Sequence, residues 1–318
     1  MSPRFSVVMP VFETAATVGA AVQSVLRQTE RDLELIVIDD GSTDGSGDVA
    51  AAAGDERTRV LRQPNTGAAA ARNAGIAAAA GEWVAFIDSD DLWLPTYLEA
   101  MSRRLGEAPD LALCYTDAWT LDPVSMRIGT ATAMQWQRPP NPPPADPEAF
   151  LLELLQRNFI YSAAVVRRSV FDEIGGFDES LTAAIDYDMW LRLSASGHRA
   201  GRAPGLHAIY RRGRAGSISS NRPRTFANLL TVYTKIAERP DISPAARARA
   251  RMRAAVAEKE RAALEGRRGI DGVWRAHVRP ALVRLRDVAS GRDRWRAAPP
   301  SEVLEAFPSL AWSNQKAR

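Results

Sequence analysis

Residues 82–95 read EWVAFIDSDDLWLP, and the rest of the predicted fold is arranged around them. The apolar run 83–87 predicts a short buried strand, which ends abruptly in the acidic sequence DSDD at 88–91. Like charges at the tip of an interior strand are costly unless a cation is bound between them. Carboxylate oxygens favour Mg²⁺ or Mn²⁺ over zinc. The alternative is that the acids cap a helix beginning near Pro95, although a cap uses one aspartate rather than three.

Strands and helices alternate on both sides of this stretch. The strand predicted at 33–38 also ends in acids, Asp39 and Asp40. The alternation predicts an α/β fold with a mainly parallel sheet and helices on both faces, and ligands of such sheets bind beyond the carboxyl ends of the strands. The polar, proline-rich residues 122–147 are predicted to be a loop or a flap. The other predicted elements are strands at 5–9, 58–62, 111–116 and 161–166, and helices around 18–26 and at 67–80, 95–105, 147–157 and 185–196.

The composition excludes several classes of protein. The chain has 318 residues, 46% of them hydrophobic, and a formal net charge of +3, too small an excess to predict nucleic-acid binding. Cys114 is the only cysteine, which rules out an intrachain disulfide and a cysteine zinc site. The sequence shows neither a signal-peptide layout nor an apolar run long enough to span a bilayer. We therefore expect a cytoplasmic protein.

Several segments of the sequence, in this order, resemble the motifs of family-2 glycosyltransferases with the GT-A fold. The resemblance covers roughly the first two-thirds of the chain, and the order of the motifs makes it more specific than any one of them. It implies a nucleoside diphosphate sugar as donor, Mn²⁺ or Mg²⁺ as cofactor, inversion at the anomeric carbon, and a glycan or lipid-linked glycan as acceptor. The segments are SVVMPVFETAATVGAAVQSVL (6–26), LELIVIDDGSTDGS (33–46), NTGAAAARNAG (65–75), FIDSDD (86–91), GGFDESL (175–181) and IDYDMWLRL (185–193).

The resemblance also implies roles for individual side chains. Asp186 matches the catalytic base, and Asp88 and Asp90 match the DxD pair that holds the metal. Asp186 could instead be only a helix cap, since acids favour the first turn of a helix. The residues implied in nucleotide binding are Pro10, Phe12, Glu13, Asp40, Arg72 and Asp88, and those implied at the phosphates or the acceptor are Asp91, Asp188, Arg211 and Arg212.

Two of these roles have structural alternatives. Phe12 is placed to stack on the base, but it could equally be a core side chain. Arg211 and Arg212 resemble a segment near the phosphates, but they could equally be exposed residues of a turn. Asp91 is interpreted as a supporting residue or a cap rather than as a metal ligand.

Two departures from the family pattern refine the prediction. Ile185 stands where many members carry an acid before the base, so acceptor contacts are expected to differ. The QxxRW signature of processive synthases is absent, which favours transfer of one or a few sugars. The competing functions are a nucleotidyltransferase that makes a sugar nucleotide, which lacks support because no glycine-rich phosphate loop follows the first strand, and a non-catalytic sugar-nucleotide sensor.

The composition changes at about residue 222. We predict a GT-A domain at 1–222, with a nucleotide-binding half at 1–117 and an acceptor-side half at 118–222, and a basic helical extension at 223–318. Charged helices of this kind are usually solvated. A minority hypothesis is peripheral binding to the inner face of an anionic membrane, or self-association, through an apolar set in the extension. That set is Trp274, Val278, Leu282 and Val283.

Overall fold

The computed structural model describes residues 2–122, 127–134, 137, 139–161, 163–211, 221–265 and 301–307. Within these ranges the chain forms nine strands, joined in one sheet, and ten helices. The strands are β1 (Phe5–Val11), β2 (Leu33–Asp40), β3 (Thr58–Gln63), β4 (Trp83–Phe86), β5 (Leu92–Trp93), β6 (Leu111–Asp122), β7 (Arg127–Thr132), β8 (Ala164–Arg167) and β9 (Arg199–Arg211). The helices are α1 (Ala15–Leu26), α2 (Ser46–Ala53), α3 (Ala68–Ala78), α4 (Tyr97–Glu107), α5 (Pro147–Gln156), α6 (Arg168–Ile174), α7 (Ile185–Ala195), α8 (Arg222–Glu238), α9 (Pro244–Glu265) and α10 (Ser301–Ala306).

The sheet confirms the α/β prediction and is parallel in its N-terminal half. Its order is β3-β2-β1-β4-β8-β6-β9-β5, with β7 paired to β6 outside this path. β1 pairs in parallel with β2 and β4, and β2 pairs in parallel with β3. Beyond β4 the sheet is mixed, because β8 runs antiparallel to both of its neighbours while β6 and β9 are parallel. The carboxyl ends of β1, β2 and β4 therefore lie at one edge, where the acidic segments follow.

Alternating side chains of β1 supply two hydrophobic layers, as the period of a strand requires. Phe5, Val7 and Met9 are fully buried on the side covered by α1, α2 and α4. Val8 is buried on the other side, in the core shared by α3 and α5 to α9. A Cβ added at Gly75 would lie only 2.3 Å from Val8 Cγ1, so α3 packs against the sheet at a distance that requires glycine.

Several local predictions were wrong. Two helices of the structure were not predicted: α2, which begins at Ser46 in the turn-rich segment after β2, and α6. Residues 122–147 contain a strand, β7, which pairs antiparallel with the end of the preceding strand, β6. The strand predicted at 111–116 continues through Asp117 to Asp122, because Asp117 accepts hydrogen bonds from the backbone N–H groups of Ala118 (2.8 Å) and Met134 (2.9 Å) and so stays buried without ending the strand.

The C-terminal helices pack on the hydrophobic cores of the preceding part of the chain. Val232, Tyr233 and Ile236 of α8 are buried in the same core as α5 and α7, and so are alanines of α9. Val303 and Phe307 are buried against β5, β6, β7 and β9. The division predicted at 222 therefore separates segments that share hydrophobic cores. Trp274, Val278, Leu282 and Val283 lie outside the described residues.

Among the helices in the described ranges, none combines the length and the apolar character that a bilayer span requires.

Candidate active site

The acidic segment 88–91 forms a tight turn directly after β4. The backbone N–H of Asp91 donates to the carbonyl of Asp88 over 3.0 Å, and β5 starts at the next residue, Leu92. α4 begins at Tyr97 with Thr96 as its N-cap, so these aspartates do not cap that helix. The capping interpretation is therefore wrong.

Asp91, the last residue of this turn, is buried beside the end of β9. Its Oδ1 accepts a hydrogen bond from the backbone N–H of Arg211 over 2.9 Å. Burial raises the pKa of Asp91 well above its ordinary range, and the charges of Asp90 and Asp88 raise it further, while the N–H of Arg211 lowers it. The carboxylates of the turn are thus close enough to repel one another strongly.

Arg72 of α3 holds the first aspartate of the turn. Its Nη2 lies 2.7 Å from Oδ1 of Asp88, and the Arg72 side chain is only 9% exposed. Its guanidinium lies over the ring of Phe177, 5.6 Å from the ring centre. Asn73, the next residue, bonds both the N–H (2.7 Å) and the carbonyl (2.9 Å) of Phe177. The NTGAAAARNAG and GGFDESL motifs are therefore joined beside the acidic turn.

Asp186 lies in the first turn of α7 and is partly buried. Burial raises the pKa of its carboxyl, Arg72 lowers it, and the charge of Asp88 raises it. The predicted base Asp186, the predicted metal ligand Asp88 and the guanidinium of Arg72 therefore influence one another electrostatically within one site. The preceding Ala184 has a left-handed backbone with φ of 55°, an unusual conformation for a residue with a side chain. Backbone strain of this kind is concentrated at functional sites.

Tyr210 is a member of the site that sequence reasoning missed. Burial raises the pKa of its hydroxyl, and Asp91, Asp88 and Asp186 raise it further. Tyr210 therefore lies among all three carboxylates, and its ring is 5.2 Å from that of Tyr161. The sequence AIYRR (208–212) contained a signal for it, because Tyr210 directly precedes the two arginines that were predicted to lie near the phosphates.

Asp40 lies at the same edge of the sheet, at the end of β2. Since β1 separates β2 from β4, the two acidic strand ends are about 10 Å apart. Oδ1 of Asp40 accepts hydrogen bonds from Gln63 Nε2 (2.8 Å) and from the N–H of Thr66 (2.9 Å), and Oδ2 accepts from the N–H of Gly67 (2.8 Å). The carboxylate thus fixes the loop before α3 and keeps acceptor capacity on Oδ2.

The first motif presents two exposed side chains at this edge, those of Phe12 and Glu13. Phe12 is 47% exposed, so it is not the core residue that the alternative interpretation required. Pro10 lies in β1 opposite Ile38 of β2. Glu13 has a left-handed backbone with φ of 51°, and its Oε1 accepts from the N–H (2.7 Å) and hydroxyl (3.0 Å) of Thr43. These contacts join the first motif to the GSTDGS segment.

Asp188 occupies a position different from the one expected. It is fully buried, with Oδ2 at 2.8 Å from Arg192 Nε and Oδ1 at 3.2 Å from Lys235 Nζ of α8. Its carboxylate is therefore the centre of an ion-pair network between helices, and the expected contact with phosphate or acceptor is wrong because both oxygens are engaged inside the protein. Arg212 lies outside the described residues.

No group of three or more His, Cys, Asp or Glu side chains in the described part of the chain is arranged to hold a metal ion. Mg²⁺ in enzymes of phosphate chemistry, however, is commonly held by one or two carboxylates, with substrate phosphates and water completing the shell. Asp88 and Asp90 lie in the turn after β4 and offer carboxylate oxygens, the donor type that such an ion takes.

The sequence model of Glycosyl transferase family 2 matches residues 6–175, which hold the strand-end acids, Arg72 and the start of the GGFDESL motif. The chain belongs to glycosyltransferase family 2. This family-2 chain is 34% identical over 220 residues to the succinoglycan biosynthesis protein ExoO of Rhizobium meliloti, an alignment that covers 68% of the chain and 63% of that protein. It is 41% identical over 110 residues to the glycosyltransferase GlyG of Streptococcus pneumoniae, covering 34% of the chain and 36% of that protein. The chain thus spans less than two-thirds of the length of either relative.

Solved structures share the GT-A fold of this family-2 chain. Residues 1–349 of S. aureus TarS, solved with UDP-GlcNAc, align with a TM-score of 0.63 at 18% identity, over 82% of this chain and 72% of that one. The mannosyltransferase PcManGT of Pyrobaculum calidifontis, solved with GDP-Man and Mn²⁺, aligns with a TM-score of 0.59 at 17% identity, over 99% of this chain and 87% of that one. At these identities the likeness establishes the fold.

Proposed function

We propose that the protein is a metal-dependent, inverting glycosyltransferase that moves a sugar from a nucleoside diphosphate sugar to an acceptor hydroxyl. The observation that carries the proposal is the electrostatic coupling of Asp186 with Asp88 and Arg72 at the carboxyl edge of the sheet. These residues come from α7, the end of β4 and α3, and the fold brings them together where α/β proteins bind ligands. A nucleotidyltransferase would need a glycine-rich phosphate loop after β1, where the sequence reads VFETAAT (11–17), and a non-catalytic sensor would not need the carboxylate of Asp186.

The donor nucleotide is assigned to the edge formed by β1 and β2. The exposed ring of Phe12 offers a face for stacking on the base, and Oδ2 of Asp40 retains acceptor capacity for a base N–H. Pro10 and Glu13 lie beside them on the first motif. The relatives solved with UDP-GlcNAc and GDP-Man support a sugar nucleotide as the ligand of this edge.

Asp88 and Asp90 are assigned to Mg²⁺ or Mn²⁺ at the donor diphosphate. A bound divalent ion supplies electrostatic stabilisation of the negative charge that develops on the leaving diphosphate. Arg72 pairs with Oδ1 of Asp88 and so holds this side chain in place beside the donor diphosphate proposed here. Arg211, beside Asp91 and Asp90, adds a second fixed positive charge on the phosphate side.

Asp186 is assigned as the general base. Its carboxylate takes the proton of the acceptor hydroxyl while that oxygen attacks the anomeric carbon from the face opposite the diphosphate, so one displacement inverts the centre. A base with a raised pKa is a stronger proton acceptor once ionised, and burial together with Asp88 raises the pKa of Asp186. The acceptor is proposed to be a glycan or a lipid-linked glycan reached from the cytoplasmic side.

The variant Asp186→Asn tests the assignment, because it removes the base with little change in shape. UDP-GlcNAc and GDP-Man are titrated in the presence of Mn²⁺ to find the donor, and release of nucleoside diphosphate is then followed with a mixture of glycan acceptors. We expect unchanged donor affinity and a rate reduced about 10²- to 10⁴-fold, the usual contribution of a general base. Asp172→Asn, at an exposed carboxylate on α6, is the matched control and should retain full activity. Undiminished turnover by the Asp186 variant would rule out the assigned base.

A further inference from the structure

A cavity of about 370 Å³ lies at the opposite end of the sheet from the donor site. It is lined by Arg104 of α4, Arg199 and Arg202 at the start of β9, and the proline-rich residues 141–145. Arg202 and Arg211 are separated by nine residues of β9, which corresponds to roughly 25 Å along a bulged strand. The cavity is therefore distinct from the acidic edge.

Two of the three guanidinium groups have no hydrogen-bond acceptor in the described part of the chain. Arg104 is 25% exposed, and its nearest carboxylate, Glu107, is 3.9 Å away. Arg202 is 20% exposed, its Nε is buried without a hydrogen-bond partner among the described residues, and its nearest carboxylate, Asp117, is 3.8 Å away. Each guanidinium carries five N–H donors, and buried donors are normally satisfied. Arg202 thus has a buried donor without a partner among the described residues, and Arg104 has donors that remain open to the cavity.

Asp117 does not supply the missing acceptor. Its oxygens already accept hydrogen bonds from the N–H groups of Ala118 (2.8 Å) and Met134 (2.9 Å) and from the hydroxyl of Thr132 (2.5 Å). Among the described residues that line the cavity none is acidic. The residues that line the cavity thus include three arginines and no acid, and Asp110, which pairs with Arg199, is not one of them.

The third arginine fixes the wall of the cavity. Arg199 forms an ion pair with Asp110 and donates from Nε to the carbonyl of Ala145 over 3.1 Å, which ties the proline-rich segment to β9. At Gly201 an added Cβ would lie 3.3 Å from Nη2 of Arg104, so the absence of a side chain keeps space beside that guanidinium. The site is built from three separate segments held in place by these contacts.

We propose that this arginine cavity binds a phosphate or carboxylate group carried by a saccharide. Guanidinium groups recognise both anions through paired N–H donors. The volume equals that of roughly a dozen waters, more than a bare phosphate fills and enough for a sugar ring beside it. The pyrrolidine rings of Pro142, Pro143 and Pro144 provide an apolar wall for that ring.

Calorimetric titration of the full chain tests the proposal with three probes at constant ionic strength: inorganic phosphate, glucose 6-phosphate and glucuronate. Arg104→Gln and Arg202→Gln should each weaken binding of glucose 6-phosphate or glucuronate about tenfold, the effect of one charge-assisted hydrogen bond. Arg103→Gln, an exposed neighbour on the same helix, is the matched control and should change affinity less than twofold. Arg104→Lys keeps the charge and should give an intermediate affinity.

The outcomes separate the sources of the anion. Tighter binding of a sugar anion than of inorganic phosphate, lost in the two glutamine variants, supports the proposal. Binding of inorganic phosphate alone, binding that survives both substitutions, or equal losses in the Arg103 control would overturn it. Thermal unfolding without added anion checks the fold: because the carboxylates paired with Arg104 and Arg202 are 3.9 and 3.8 Å away, their variants should unfold at temperatures close to that of the Arg103 control.

Discussion

Replacing Lys235 by Met removes the cation that connects α8 to α7, the helix that carries the proposed base Asp186. The Lys235 Nζ lies 2.5 Å from Asp178 Oδ2 and 3.2 Å from Asp188 Oδ1. Asp188 is fully buried, and in the variant it would keep Arg192, at 2.8 Å, as its charged partner. We expect a folded protein with a lower free energy of unfolding.

The expected loss in the free energy of unfolding can be estimated from the pKa of Asp178. Burial acts to raise that pKa, but hydrogen bonds from Lys235 and Ser180 lower it from 3.8 to about 2. A shift of this size corresponds to roughly 2 kcal/mol of stability at pH 7, of which Lys235 supplies only a part. The Lys235 side chain is 39% exposed, so solvent screens its share further. Breaking a buried pair costs about 3–5 kcal/mol when no other partner remains, and Arg192 reduces that cost at Asp188. The expected loss for Lys235→Met is therefore about 1–3 kcal/mol.

Urea unfolding followed by tryptophan fluorescence measures this loss at pH 7 and at pH 3. The folded pKa of Asp178 lies below its unfolded value, so the stabilisation is present above pH 3.8 and is lost as the pH falls towards about 2. The difference between wild type and variant should narrow at pH 3. Lys259→Met, at an exposed position of α9, is the matched control and should change stability by less than about 0.5 kcal/mol. Equal unfolding free energies for the two variants at pH 7, or a difference that does not narrow, would refute the reasoning.

Three further predictions concern the site and the core. Arg72→Gln removes a charge that lowers the pKa of Asp186, so the acid limb of the kcat profile, set by ionisation of the base, should move to higher pH; a limb that moves to lower pH contradicts the assignment. Gly75→Ala places a Cβ 2.3 Å from Val8 Cγ1 and should lower the free energy of unfolding by about 1–3 kcal/mol, whereas Gly106→Ala, with no atom within 4 Å of the added Cβ, should not lower it. Removing divalent ions with a chelator should abolish transfer, and Mn²⁺ or Mg²⁺ should restore it; full activity after chelation would exclude the metal role.

Much of the N-terminal half could be predicted because its signals are local. β1, β2 and β4 are continuous apolar runs, and each is followed by polar residues that mark its end. Parallel strands joined by helices place those ends at one edge, so the presence of Asp40 and the 88–91 turn at the same edge was predictable from the order of elements alone. The direction of β8 was not predictable, because a strand that follows a long irregular connection can enter the sheet parallel or antiparallel to its neighbours.

The members of the site that sequence reasoning missed or misplaced depend on distant contacts. Asp91 bonds the backbone of Arg211, 120 residues later, and Tyr210 is brought beside the same carboxylates because β5 pairs with β9. Asp188 has the same local pattern as Asp186, two residues earlier on the same helix. Which one is partly open to the site and which is buried against Lys235 depends on how α8 packs against α7.

The sequence by itself determined the α/β class, the family and the carboxylates at the strand ends, because hydrophobic periodicity and motif order are properties of neighbouring residues. The tertiary structure alone decided which carboxylates face the site, which are ion-paired inside the protein, and that α8 and α9 share the core. These features depend on burial and on charges brought together from distant segments. Burial and charge in turn set the pKa values on which the proposed chemistry rests.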